Sequence, residues 1–123
     1  MNQENDKQLM IRALSEARVF GEELKAACAT ISGHFQVGRN DQGAELLKGF
    51  LEGIGCISQA IHLTQPIQEE KGLKIELSEL PDVLGPLVDA LENQDFGLVG
   101  DILTYEVAPV LDRWSVELEK AVR

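Results

Sequence analysis

Apolar and small side chains recur along the chain three and four positions apart, the spacing that lines one face of an α-helix. From Asp6 to about Phe35 the stripe runs Met10, Ala13, Leu14, Ala17, Phe20, Gly21, Leu24, Ala27, Cys28, Ile31, Phe35, with Arg12, Glu16, Arg18, Glu22, Glu23 and Lys25 off it. This predicts a long amphipathic first helix, rich enough in alanine and glycine for a neighbour to approach closely. Gly38-Arg39-Asn40-Asp41 reads as a turn, with Asn40 or Asp41 placed to cap the next helix. A second helix over about 41–64 gathers Leu47, Phe50, Leu51, Ile54, Ile57 and Ile61 on one face, flanked by Leu46 and Leu63. It also holds Gly43, Gly49, Gly53 and Gly55, each costing up to about 1 kcal/mol against alanine in a helix interior, so close contacts are expected there.

If the turn folds these helices antiparallel, positions equally far from it meet. Cys28 then faces the region of Gly49 and Cys56 the region of Gly21, and the groove of Gly49, Gly53, Cys56 and Ala60 sets small residues against small. Cys28 and Cys56 fall about seven residues out of step, roughly 10 Å along a helix. A disulfide needs Cα atoms within about 7 Å, so two buried, unbonded structural thiols are expected.

Pro66 ends the second helix, and residues 65–78 read as an extended linker in which Leu73, Ile75 and Leu77 alternate with Lys74 and Glu76. A third helix over about Glu79–Asn93, with Ser78 near its cap, turns Leu80, Leu84, Leu87, Val88 and Leu91 inward; Gly85-Pro86 should kink or restart it. Asp95 caps a fourth helix over about 96–122, whose core stripe is Phe96, Val99, Leu103, Val107, Val110, Leu111, Trp114, Leu118 and Ala121. Pro109 should bend it, having no N–H for the Tyr105 carbonyl. The expectation is an all-α single domain over 1–123: an antiparallel four-helix up-and-down bundle with a shorter, kinked third helix and an extended linker between helices two and three.

Helix four carries a second apolar series, Leu98, Ile102, Tyr105, Pro109 and Val116. A helix apolar on two faces is either central to its fold or has a partner outside it. Charge sharpens this. The chain carries −10, and residues 66–123 hold thirteen acidic against five basic side chains, net −8, while residues 1–65 are net −2. Such a balance argues against a phosphate-binding groove, and hence against nucleic acid as main partner. With no apolar run of about eighteen residues and no basic flank with an apolar core after MNQENDKQ, neither a membrane span nor a signal peptide is expected, and the cytoplasm is the default location.

Residues with chemistry are few. His34 and His62 fall near opposite ends of the helix pair, and neither has glutamate three positions before it, so the ExxH pattern of di-metal bundles is missing. No serine sits in GxSxG or SxxK, and no phosphate loop or calcium loop occurs. Glu106, at the margin of the core stripe, is expected to pair with Arg113 or reach solvent. No catalytic residue, metal or cofactor is expected.

Residues 80–114 resemble the C-terminal part of small uncharacterised helical proteins of Firmicutes-type bacteria, in a D-x-x-L-x-x-D-x-L-x-Y-E-x-x-P run before a tryptophan. The matching residues are Asp95, Leu98, Asp101, Leu103, Tyr105, Glu106, Pro109 and Trp114. More remotely, helix order, size and acidity resemble the flagellar secretion chaperones, an analogy that transfers no residue roles. These features suit two functions. The first is a non-enzymatic adaptor or chaperone-like module binding another protein, or a second copy in a homodimer, through Leu98, Ile102, Tyr105, Pro109 and Val116. The second is a small-molecule binding bundle using the glycine-lined groove between helices one and two.

Overall fold

The predicted first stripe folds as one helix, α1 (Gln3–Gln36), followed by α2 (Asn40–Leu63), α3 (Gln65–Lys71), α4 (Glu79–Glu92), α5 (Phe96–Ile102), a π-turn (Leu103–Val107) and α6 (Ala108–Ala121). The computed structural model describes residues 3–121, and among these no strand occurs. The expected helix end at 122 lies outside the described residues. No helix among them is long and apolar enough to cross a membrane.

Three helix ends close in the same way. After α1, Gly38 at φ 82° donates to the Phe35 carbonyl and Arg39 to that of His34, the paired bonds of a Schellman motif. Gly72 and Leu73 repeat it after α3, and Gln94 and Asp95 after α4, where Gln94 is the non-glycine residue at positive φ. The turn at Gly38 is thus as expected. Its cap is not: Asn40 already lies in α2, and Arg39 precedes it with no side-chain capping bond.

The α1–α2 register follows the turn arithmetic. Phe35 packs on Gly43, Phe20 and Leu24 on Gly53, and Ile57 on Gly21, so the helices run in opposite directions. The expectation of small against small is corrected. A Cβ on Gly43 would sit 2.8 Å from the Phe35 ring, and one on Gly53 2.9 Å from Leu24 and Phe20, so glycine on one helix receives a large side chain from the other. Gly49 and Gly55 face open space and make no such contact.

The extended linker over 65–78 is also corrected. Its first half is α3, started by Pro66 in the first turn, where a missing N–H costs nothing. At the junction the Ile61 carbonyl, with no α-helical continuation, accepts from Thr64 N, Thr64 Oγ1 and Gln68 Nε2, all within buried surroundings. Only residues 73–76 are without helix or turn. There the alternation holds, with Leu73, Ile75 and Leu77 half-buried and Lys74 and Glu76 exposed, and the segment is pinned by Lys74 N–H donating to Glu117 Oε1 at 2.8 Å. The hydrogen bond from Lys120, together with this one, holds the Glu117 carboxyl below its ordinary range.

α4 runs through Gly85-Pro86 without restarting, and Val88 is exposed, not inward. Helix four is continuous from Phe96 to Ala121 except that its middle widens into the π-turn, where Ala108 N–H donates to Leu103 O, five residues back. Two causes act together. Pro109 has no N–H for the carbonyls behind it. Val99, Leu103 and Val107 are spaced by four, a stripe that in an unbroken α-helix would drift about 40° per step away from the core. The wider turn absorbs the drift, and all three are buried.

α1 packs against α2, α5 and α6, and α4 against α5 and the π-turn. Along α5 and α6, Ser32 meets Gly100 and Thr104, Lys25 binds Asp112 at 2.6 Å, and Gly21 meets Ser115, a register again opposite to α1. Trp114, Leu14, Leu47, Leu80, Leu103 and Leu118 fill the centre.

These contacts order the glycines by cost. Gly53→Val should destabilise by about 1–3 kcal/mol through overpacking against Phe20 and Leu24. Gly49→Ala, in open space on the same helix, should stabilise by about 0.5–1 kcal/mol. Urea unfolding followed by circular dichroism reads both; equal shifts for the two would contradict the packing.

Candidate functional site

Of the five residues expected to form a second face on helix four, the structure exposes Leu98 (44%), Tyr105 (74%) and Val116 (53%) and half-buries Pro109. Ile102 is corrected to a core residue, 4% exposed. It closes α5 three positions after the buried Val99 and next to the buried Leu103, and packs inward with them. Tyr105 is the centre of that turn, so the widening that buries Leu103 and Val107 points the intervening side chain outward.

Acidic groups surround Tyr105. Asp101 and Glu106 are exposed beside it, and Asp112 further along is paired with Lys25. Glu106 thus reaches solvent, the second of its two expected placements. Its expected partner Arg113 instead binds Glu79, tying α6 to the start of α4. At the α5 end Asp95 Oδ1 accepts from Leu98 N–H at 3.3 Å, as expected of its cap, which holds Leu98 at the edge of the same surface.

The thiols divide. Cys28 is buried at 1% exposure, and burial pushes its pKa up to about 11 from 9.0. Cys56 is exposed, contrary to the expectation of two buried thiols: the α2 stripe turns Gly53 and Ile57 to the core and leaves position 56 on the flank. There it borders a shallow hollow with Ala13, Glu16, Phe20 and Ala60. Both cysteines are free. His34 lies half-buried near the end of α1 and His62 is exposed near the end of α2, and no group of three histidine, cysteine or acidic side chains among the described residues is placed to hold a metal.

The buried polar atoms were not legible in the sequence. Trp114 Nε1 and Ser115 Oγ find no hydrogen-bond partner among the described residues of the core, where each such omission costs about 1–3 kcal/mol. Tryptophan and serine within a helical stripe carry no signal of this, because it depends on which helices cover them.

The geometry defines an all-helical domain with an exposed aromatic and aliphatic series on its last helix. The chain belongs to the family described as Domain of unknown function (DUF8042), whose model matches residues 12–117. No curated protein and no solved structure matches it. The resemblance to uncharacterised proteins therefore stands at the level of this family, and the comparisons lend no support to a Firmicutes-type origin or to the chaperone likeness.

A thiol-reactive dye at pH 8 should label Cys56 rapidly and Cys28 only on unfolding. Because the folded Cys28 pKa lies above its ordinary value, its share of stability is complete below about pH 9 and is lost as the pH rises through about 11. Equal labelling rates for Cys28→Ala and Cys56→Ala variants would refute the assignment.

Proposed function

We propose that the protein is a non-enzymatic interaction module, an adaptor or chaperone-like single domain on an antiparallel four-helix up-and-down plan with a bend at Gly85-Pro86. It acts in the cytoplasm and engages a protein partner through the outer side of helix four. The observation that carries this reading is Tyr105, three-quarters exposed at the π-turn while the rest of the helix supplies a complete core stripe. Tyrosine combines a large apolar contact area with a polar tip and loses little entropy on docking, which is why it concentrates at interface centres. Leu98, Pro109 and Val116 extend the apolar surface along the helix.

Charge bears on the choice between a foreign protein and a second copy. Asp101 and Glu106 flank Tyr105, and a symmetric dimer through this face brings like charges together. A foreign partner is the better-supported form. The small-molecule reading has less behind it, since Phe35, Phe20 and Leu24 occupy the space beside Gly43 and Gly53.

Tyr105→Glu should leave the fold intact, because the side chain is in solvent, and abolish the interaction. Light scattering reports self-association, and capture from an extract of the native host with wild type and Tyr105→Glu side by side reports a foreign partner. The expected result is a monomeric wild type and a partner retained by wild type and lost from the variant. Identical captured proteins for both, with both monomeric, would sink the helix-four reading.

A further inference from the structure

Between α2 and α4 the surface opens into an apolar groove of about 520 Å³, walled by Leu51, Ile54 and Gly55 on one side and Leu77, Leu80 and Leu84 on the other. The walls rest on different parts of the molecule, α2 on α1 and α4 on α5 with the π-turn. From Leu51 to His62 the groove follows α2 for eleven residues, about 16 Å or three helical turns. At Gly55 nothing among the described residues, beyond its chain neighbours and its own helix backbone, lies within 4 Å of where a Cβ would stand, so this glycine is not there to admit a neighbouring helix of the same chain. Its effect is to keep the groove open.

The rim is acidic. The groove lining itself holds no carboxylate among the described residues, but the segments that carry it, residues 40–63 and 73–92, contain eight acidic and two basic side chains. Glu52 and Asp82 are exposed next to the groove-lining Leu51 and Pro81, while Glu79, next to the groove-lining Leu80, is already paired with Arg113. We infer that the α2–α4 groove takes an amphipathic α-helix of a partner protein, its apolar stripe against Leu51, Ile54, Leu80 and Leu84 and its flanking lysines and arginines toward Glu52, Asp82 and the other carboxylates of these segments. A helix presenting anchors at i, i+3 or i+4, and i+7 spans this length. A second copy of the chain would set two acidic rims against each other. The inference rests on the reading of the protein as an interaction module but uses a surface separate from Tyr105.

The probe is a fluorescein-labelled peptide of about eighteen residues, with leucines at helical spacing among lysines, compared by fluorescence anisotropy with a peptide of identical composition and scrambled pattern. Wild type should bind the patterned peptide in preference to the scrambled one, and more weakly as salt rises. Gly55→Trp fills the groove from a position with open space around it and should weaken binding about tenfold or more with the far-ultraviolet dichroism unchanged; Gln59→Trp, on the same wall, carries the same expectation should Gly55→Trp fail to fold. Tyr105→Glu should bind as wild type does. Unchanged affinity in the folded tryptophan variant, or equal binding of the scrambled peptide, overturns the inference. Loss in Tyr105→Glu alone also overturns it while upholding the helix-four surface. A wild-type dimer that Gly55→Trp dissociates would put a second copy in the groove and overturn the foreign partner.

Discussion

Three helices meet at Gly21. A Cβ there would stand 3.2 Å from Ile57 on α2 and 3.7 Å from Ser115 on α6, so α1 is held between two helices with almost no space to spare. Because α1 also packs on α5, its position sets the relation of nearly every other element. The close approach constrains both registers: Ile57 fixes where α2 stands along α1, and Ser115 does the same for α6. The ion pair of Lys25 with Asp112 and the contact of Ser32 with Gly100 then fall into line four and eleven residues further along α1.

At the far end of the molecule the same registers converge on Phe35. Its ring lies against Gly43 and stacks on Phe96 with centroids 5.3 Å apart, so α1, α2 and α5 are joined there by one side chain. The two convergence points lie fourteen residues apart on α1, roughly 21 Å. Helix four must keep its core stripe against α1 over this whole length, although its apolar positions are spaced slightly too widely for a straight α-helix. The π-turn reconciles the two demands. It is also what places Tyr105 in solvent, so the most exposed aromatic residue of the chain is a consequence of how the core is kept continuous.

Two surfaces of different character result. The outer side of helix four is convex, with Tyr105 projecting among carboxylates. The space between α2 and α4 is concave and apolar, with carboxylates such as Glu52 and Asp82 beside its lining. Exposed carboxylates stand near both, Asp101 and Glu106 on the first and Glu52 and Asp82 beside the second. Cys28 is buried in the core, where it serves packing; Cys56 is exposed on the flank of α2 beside α1.

Helical class, the bounds of the long helices and the α1–α2 register were legible in the residues alone, because each is set by local periodicity and by the place of one turn. The alternation of Leu73, Ile75 and Leu77 was legible for the same reason. The short helix α3 was not, since it depends on Thr64 and Gln68 finding the Ile61 carbonyl inside the core, and seven residues with a proline have little helical preference of their own. Nor were the burial of Ile102 and the exposure of Cys56. A stripe read at 3.6 residues per turn says which positions share a face, but which edge of that face is covered depends on the angle and distance of the neighbouring helices. Periodicity thus determined that helix four has more apolar surface than one face can use, whereas the tertiary packing decided that Ile102, at the end of α5, fills the core and that Tyr105, at the centre of the π-turn, meets the solvent.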